Sequence, residues 1–257
     1  MPLTFPSHAA AVLPLKLWRP DRFDGVALVI GSTLPDLPYA VSPYVHLDAH
    51  QWPALFWFCL PVGMVAAVLT RRAGPAVAAH LPRGGSWNWP DYGTIGRNRH
   101  RWYVTAGCVL LGALTHLAWD MFTHPRAGRW LPPLDTVAFA GLPWWHVLQF
   151  ASSALGAVAA VAMVWQIGRR RLLVRHGPPA PFPTRPRVFW WTAVGCWVVG
   201  IAAQPLLAGH LHVNILGVRL LLVAAIGLVV AAAAVGAAGR GTPQGSKRYP
   251  IPGSVIR

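Results

Sequence analysis

The chain has 257 residues, of which 54% are hydrophobic and only 11% charged, and its formal net charge is +15. So apolar a composition excludes an ordinary soluble domain and indicates a membrane protein. The positive charge does not indicate nucleic-acid binding, because the basic residues lie in short blocks between apolar runs rather than on one continuous face.

The apolar runs predict an all-α, polytopic membrane helix bundle with about six transmembrane segments. The first run, residues 25–45, contains Pro35, Asp36, Pro38 and Pro43, so we expect a broken span or a re-entrant segment there. Five further runs approach the length of about 20 residues that crosses a bilayer. They are residues 52–70, 104–122, 147–167, 188–207 and 215–235.

The connections between these runs differ in basic content. Those after residues 70, 167 and 235 are rich in Arg and Lys, whereas those after residues 122 and 207 are poor in them. Because cytoplasmic loops are enriched in basic residues, we expect a multi-pass protein of the inner (cytoplasmic) membrane with both termini in the cytoplasm. We assign residues 1–238 to a single transmembrane domain and residues 239–257 to a disordered basic tail. The lipid bilayer is the predicted partner, and no nucleic acid is expected.

The most informative polar residues are His116 and Asp120, which lie four residues apart inside the run 104–122. An Asp at the centre of a membrane helix costs about 2.5 to 3.5 kcal/mol on insertion scales, so a partner is required. On a helix this spacing places both side chains on one face with Cβ atoms about 5 to 6 Å apart, which suits two ligands of one cation. A mutual hydrogen bond that fixes helix packing is the alternative.

Two other polar residues reach a compatible depth under the predicted topology. Asp36 lies near the middle or outer part of the broken run, and His50 lies at the outer entry of the next span. Together with His116 and Asp120 they form a two-His, two-carboxylate set suited to zinc or another divalent ion. His124 lies about 12 Å from His116 along a straight helix, but Pro125 favours a helix end there, so its imidazole folds back or binds a second ion.

Several motifs along the chain carry a resemblance to a known family. The four longest motifs are SHAAA at 7–11, GSTLPDLPY at 31–39, GALTH at 112–116 and DMFTHP at 120–125. Four shorter motifs accompany them, namely LPL at 13–15, LP at 142–143, LQF at 148–150 and SS at 152–153. On these motifs the chain resembles the bacterial domain-of-unknown-function 4184 family. That family is similar to inner-membrane proteins called predicted metal-dependent hydrolases, whose polar pattern is similar to that of zinc-dependent phospholipase C.

The resemblance implies a ligand set of His8, Asp36, His50, His116, Asp120 and His124, with zinc as the metal. The sequence departs from the phospholipase pattern where a later His and Glu pair is expected, since His146 and Gln149 stand in that region. The position of His8 also conflicts with the predicted topology. If residues 25–45 cross the membrane, His8 lies on the cytoplasmic side, far from a cluster in the outer half of the bundle. Either its segment dips into the membrane, or the first span is re-entrant with the N-terminus outside, or His8 is no ligand.

Two functions from different classes follow. The first is a divalent-metal-dependent hydrolase that acts on an ester or phosphoester, with a lipid-like substrate and with Asp36 or Asp120 as catalytic base. The second is a non-enzymatic membrane protein, whose buried His and Asp cluster is structural or relays protons or ions. The geometry of the cluster discriminates between them.

Overall fold

The computed structural model describes residues 7–97, 100–125, 127–175 and 177–240, and this part of the chain is predominantly helical. Residues 241–257 of the predicted tail lie outside it. The helices are α1 (Ala9–Trp18), α2 (Gly25–Gly31), α3 (Leu60–His80), α4 (Trp102–Thr123), α5 (Trp144–Arg169), α6 (Pro186–Ala202) and α7 (Val213–Arg240). Two short antiparallel strands, β1 (Val137–Phe139) and β2 (Leu142–Pro143), precede α5.

Five helices among the described residues are long and apolar enough to cross a membrane. They are Leu55–His80, Trp102–Thr123, Trp144–Arg169, Pro186–Leu206 and Val213–Gly239. Each overlaps one of the five predicted spans, which confirms the all-α polytopic bundle. The first of them begins with a π-helical turn, Leu55–Cys59, that leads into α3.

The span predicted at residues 52–70 is too short at its C-terminal end. The helix continues to His80, so Arg71, which the sequence placed in a basic loop, lies inside α3 and is buried. Its guanidinium pairs with Asp24, which also accepts a hydrogen bond of 2.7 Å from the Thr105 hydroxyl of α4. A buried charge is tolerated where it is paired, and this pairing was not visible in the hydropathy pattern.

The first predicted span is broken, as expected from its prolines. It consists of α2 followed by a 3-10 segment, Leu34–Ala40, which has Pro35 at its start. Asp24 lies beside Cys108 near the beginning of α4, whereas the Ser32 carbonyl meets His116 further along the same helix. The segment therefore runs beside α4 instead of turning back at once.

Two glycines allow α2 and α4 to approach closely. A Cβ atom added at Gly112 would lie 2.3 Å from the Leu28 carbonyl oxygen, and one added at Gly31 would lie 2.2 Å from the Val109 carbonyl oxygen. Small residues at helix crossings allow such backbone contact in membranes. The apolar core next to this crossing includes Leu28 and Val109.

A buried arginine ties α7 to the end of the broken segment. Arg219 is 5% exposed and donates hydrogen bonds to the carbonyl oxygens of Ala40 (2.9 Å), Ser42 (2.7 Å) and Ala208 (3.0 Å). These carbonyls lie at the irregular ends of their segments, where backbone acceptors need a partner. The contacts hold the C-terminal end of the 3-10 segment that carries Asp36.

We expect Arg219→Leu to destabilise the protein by about 2 kcal/mol or more, because three partly buried carbonyls lose their donor. Thermal unfolding in detergent measures this change. The matched control is Arg187→Leu, which removes an exposed arginine at the start of α6. Equal melting temperatures for the two variants would contradict a role for Arg219 in holding the segment.

Candidate metal centre

Three segments bring together the four residues that the sequence placed at a common depth. Asp36 comes from the 3-10 segment, His50 from the loop that precedes α3, and His116 and Asp120 from successive turns of α4. One ligand atom from each residue lies within 4.8 Å of the other three. Such a group is compact enough to surround one cation.

The contacts within the cluster join each imidazole to both carboxylates. His116 Nε2 lies 3.2 Å from Asp120 Oδ2 and 3.6 Å from Asp36 Oδ1. His50 Nε2 lies 3.3 Å from Asp36 Oδ1 and 3.5 Å from Asp120 Oδ2. Both imidazoles therefore face the same two oxygens.

The backbone of the broken segment orients His116. Its Nδ1 donates to the Ser32 carbonyl oxygen at 2.8 Å, so Nδ1 carries the hydrogen and Nε2 presents its lone pair to the cluster. A hydrogen bond from the second nitrogen to a carbonyl is the usual support of a metal-binding histidine. The close crossing at Gly112 brings Ser32 within reach of this ring.

Three buried polar atoms of the cluster region have no hydrogen-bond partner among the described residues. They are His8 Nε2, His116 Nε2 and Asp120 Oδ1. Buried polar atoms without partners are costly and require an explanation, such as a bound ion. Imidazole nitrogens and carboxylate oxygens in this arrangement suit zinc or a similar divalent cation, so the residues fit the metal that the family resemblance implies.

His8 lies against the cluster and not on the far side of the bundle. It is 5% exposed, its ring stacks on that of His116 with centroids 3.9 Å apart, and its Nε2 lies 3.8 Å from Asp120 Oδ1. These contacts place His8 beside the cluster, and the side of the membrane on which its segment begins stays a prediction. Helix α1 has only ten residues, which is too short for a span, and this explains why hydropathy did not locate it.

His124 folds back toward the cluster, as its position before Pro125 predicted. Helix α4 ends at Thr123, and His124 has an extended backbone, which brings its Nδ1 to 3.5 Å from Asp120 Oδ1. Its Nε2 lies 3.0 Å from the amide nitrogen of Gln149 on α5. With Gln149 donating to Nε2, Nδ1 carries the hydrogen, and His124 stands outside the four-residue group.

Gln149, which stands in the region where the phospholipase pattern has a later His and Glu pair, contacts His124 beside the cluster. Gln149 is buried. Its backbone carbonyl oxygen also accepts a hydrogen bond of 2.6 Å from the Ser153 hydroxyl. An amide inside an apolar run was the signal that could have indicated it. Asp48 lies outside the cluster and accepts the His50 backbone N–H at 3.2 Å.

His50 lies outside the spanning helices and faces two carboxylates, those of Asp36 and Asp120. Burial alone would lower its pKa, but the carboxylates of Asp120 and Asp36 outweigh this effect and raise the pKa to about 9. A cation that binds His50 must therefore displace a proton. With 31% of its side chain exposed, His50 also lies at the open side of the cluster.

The fold and the cluster define a polytopic membrane protein with a buried His and Asp centre. The family described as domain of unknown function (DUF4184) matches residues 1–238, so the chain belongs to that family. No curated protein and no solved structure matches the chain.

Proposed function

We propose that this protein is a divalent-metal-dependent hydrolase of esters or phosphoesters. The observation that carries the proposal is the group of Asp36, His50, His116 and Asp120, whose ligand atoms all lie within 4.8 Å of one another. These residues would hold the ion, with zinc as the favoured metal. His8 would add a ligand on the opposite oxygen of Asp120, where its buried Nε2 lacks a partner.

A divalent ion at this place would lower the pKa of bound water toward 7 and polarise the carbonyl or phosphoryl oxygen of the substrate. The two aspartates differ in how many of their carboxylate oxygens already face imidazoles. Asp120 faces His50 and His116 through Oδ2 and faces His8 and His124 through Oδ1. Asp36 meets both of its imidazoles through Oδ1, which leaves Oδ2 to accept a proton from water. We therefore favour Asp36 as the general base and Asp120 as the central ligand.

The surroundings of the opening support a lipid-like substrate. His50 lies at the open side, and its ring centroid is 6.0 Å from that of Tyr39, which is partly exposed. Trp52, two residues further along, is 53% exposed. Aromatic residues of this kind concentrate where a bilayer meets water, which is where the ester or phosphoester of a lipid lies. With the basic loops in the cytoplasm, the opening faces the outer leaflet of the inner membrane.

The test is hydrolysis by purified protein that has first been stripped with a chelator. We expect no turnover of phosphodiester, phosphomonoester or carboxylester panels by the stripped protein, and turnover of one class after zinc or manganese is restored. The reason is that activation of water at this site depends on the ion. Turnover that survives stripping would contradict the proposal. Inactivity with every metal would favour the alternative, a non-enzymatic protein with a structural or proton-relaying cluster.

A further inference from the structure

A groove away from the His and Asp cluster runs along the second half of α5. Its apolar part has a volume of about 440 Å³ and is lined by Trp87, Ala157, Val158, Val161, Ala162 and Trp165. A second part of about 580 Å³ continues from Ala162 and Trp165 to Arg169 and Arg170. Because the two parts share Ala162 and Trp165, they adjoin as one shallow, open groove on the surface of α5 that is apolar at one end and cationic at the other.

The loop after α3 forms a fixed wall of this groove. A Cβ atom added at Gly168 would lie 2.0 Å from the Trp87 carbonyl oxygen, so the loop rests directly on the end of α5. Asn88 donates to the Gly168 carbonyl oxygen at 3.0 Å, and Arg171 forms a two-pronged ion pair with Asp91 at 2.9 and 3.0 Å. These contacts hold Trp87 in place beside α5.

The three consecutive arginines at this end have different surroundings. Arg171 is neutralised by Asp91. Arg169 places its guanidinium over the Trp165 ring, 5.0 Å from the centroid, and Arg170 is exposed. The residues that line the groove include no carboxylate. The groove thus offers two cationic groups to an anion at its end.

The length of the groove matches one leaflet of a bilayer. Arg169 lies twelve positions after Ala157, which corresponds to about 18 Å along a helix. Half of the hydrocarbon core is about 15 Å thick. A chain that begins at the arginines therefore ends near the membrane centre, where the apolar part of the groove ends.

We infer that this groove binds one anionic phospholipid of the leaflet that meets the basic loops. Its phosphate lies between Arg169 and Arg170, and one acyl chain lies along α5 against Trp87 and Trp165. Anionic headgroups are attracted to basic residues at the membrane surface, and the tryptophans fit the interfacial level. The inference is independent of the proposed hydrolase activity.

The test measures lipid retained by the full-length protein after purification from vesicles of equal parts phosphatidylglycerol and phosphatidylcholine. We expect the unaltered protein to retain phosphatidylglycerol at least fivefold over phosphatidylcholine. Arg169→Gln/Arg170→Gln should lose this preference, whereas Arg83→Gln/Arg187→Gln, which removes two exposed arginines outside the groove, should keep it. Ala162→Trp, which fills the groove, should reduce retention of phosphatidylglycerol at least threefold, and Ala154→Trp on the same helix should not.

Three results would overturn the inference. The first is equal retention of the two lipids by the unaltered protein. The second is an unchanged preference in Arg169→Gln/Arg170→Gln, and the third is an equal loss in the control arginine variant, which would indicate only a general effect of charge. Because Ala162→Trp changes no charge, it tests the groove even if the double arginine variant fails to fold.

Discussion

For the proposed hydrolase activity, Asp120→Asn should lower kcat/KM for the ester substrate by about 1,000-fold or more. Asp120 meets four imidazoles through its two oxygens, and asparagine replaces one carboxylate oxygen with an amide group that cannot bind a cation through nitrogen. A metal ion contributes several kcal/mol to charge stabilisation in the transition state, and a loss of about 4 kcal/mol corresponds to this factor. Steady-state kinetics with restored metal measures it.

The matched control for this variant is Asp135→Asn. Asp135 lies outside the cluster and accepts the Gly128 backbone N–H at 3.1 Å, so its replacement should leave kcat/KM within about threefold of the original value. Asparagine has nearly the shape of aspartate, and both variants should remain monodisperse in detergent. Retention of a third of the activity by Asp120→Asn would show that this carboxylate is not central to catalysis.

Gly112→Val should destabilise the bundle by about 3 kcal/mol or more. The new Cβ would lie 2.3 Å from the Leu28 carbonyl oxygen and 2.7 Å from the Ser32 nitrogen, and backbone atoms cannot turn away as a flexible side chain can. The helices α2 and α4 must separate, and Ser32 then moves away from His116. We expect a lower melting temperature and weaker binding of the metal ion that we propose for this site.

Gly107→Val provides the control on the same helix. A Cβ atom at Gly107 meets nothing within 4 Å, so this variant carries the same helix propensity cost without the clash. Thermal unfolding of the two variants in the same detergent isolates the packing effect. Equal melting temperatures would mean that the close crossing of α2 and α4 is not required for stability.

Most of the cluster was predictable because its signals are local. His116 and Asp120 stand out as costly residues in an apolar run, and their spacing places them on one helical face. The predicted topology then placed Asp36 and His50 at the same depth in the membrane as this pair. In the structure all four residues lie together. Apolar length likewise located the five spanning helices.

The remaining features depend on tertiary contacts that the sequence does not show. Helix α1 is too short to register as a span, so the place of His8 follows only from its packing against His116. Arg71 was assigned to a loop because its partner Asp24 is distant in sequence. Gln149 gained its role from the folding back of His124, which joins the end of α4 to α5. Hydropathy reports the average environment of a segment and carries no information about such pairs.

The measurement that tests the central claim most directly is elemental analysis of protein purified in detergent without chelator. The unaltered chain is compared with His116→Ala/Asp120→Ala, and with His212→Ala/Asp135→Ala as a control that removes the same two residue types outside the cluster. We predict close to one equivalent of zinc or manganese in the unaltered and control proteins and none in the cluster variant. Protein that stays free of metal after attempted reconstitution, or equal metal in all three, would contradict a metal centre built on His116 and Asp120.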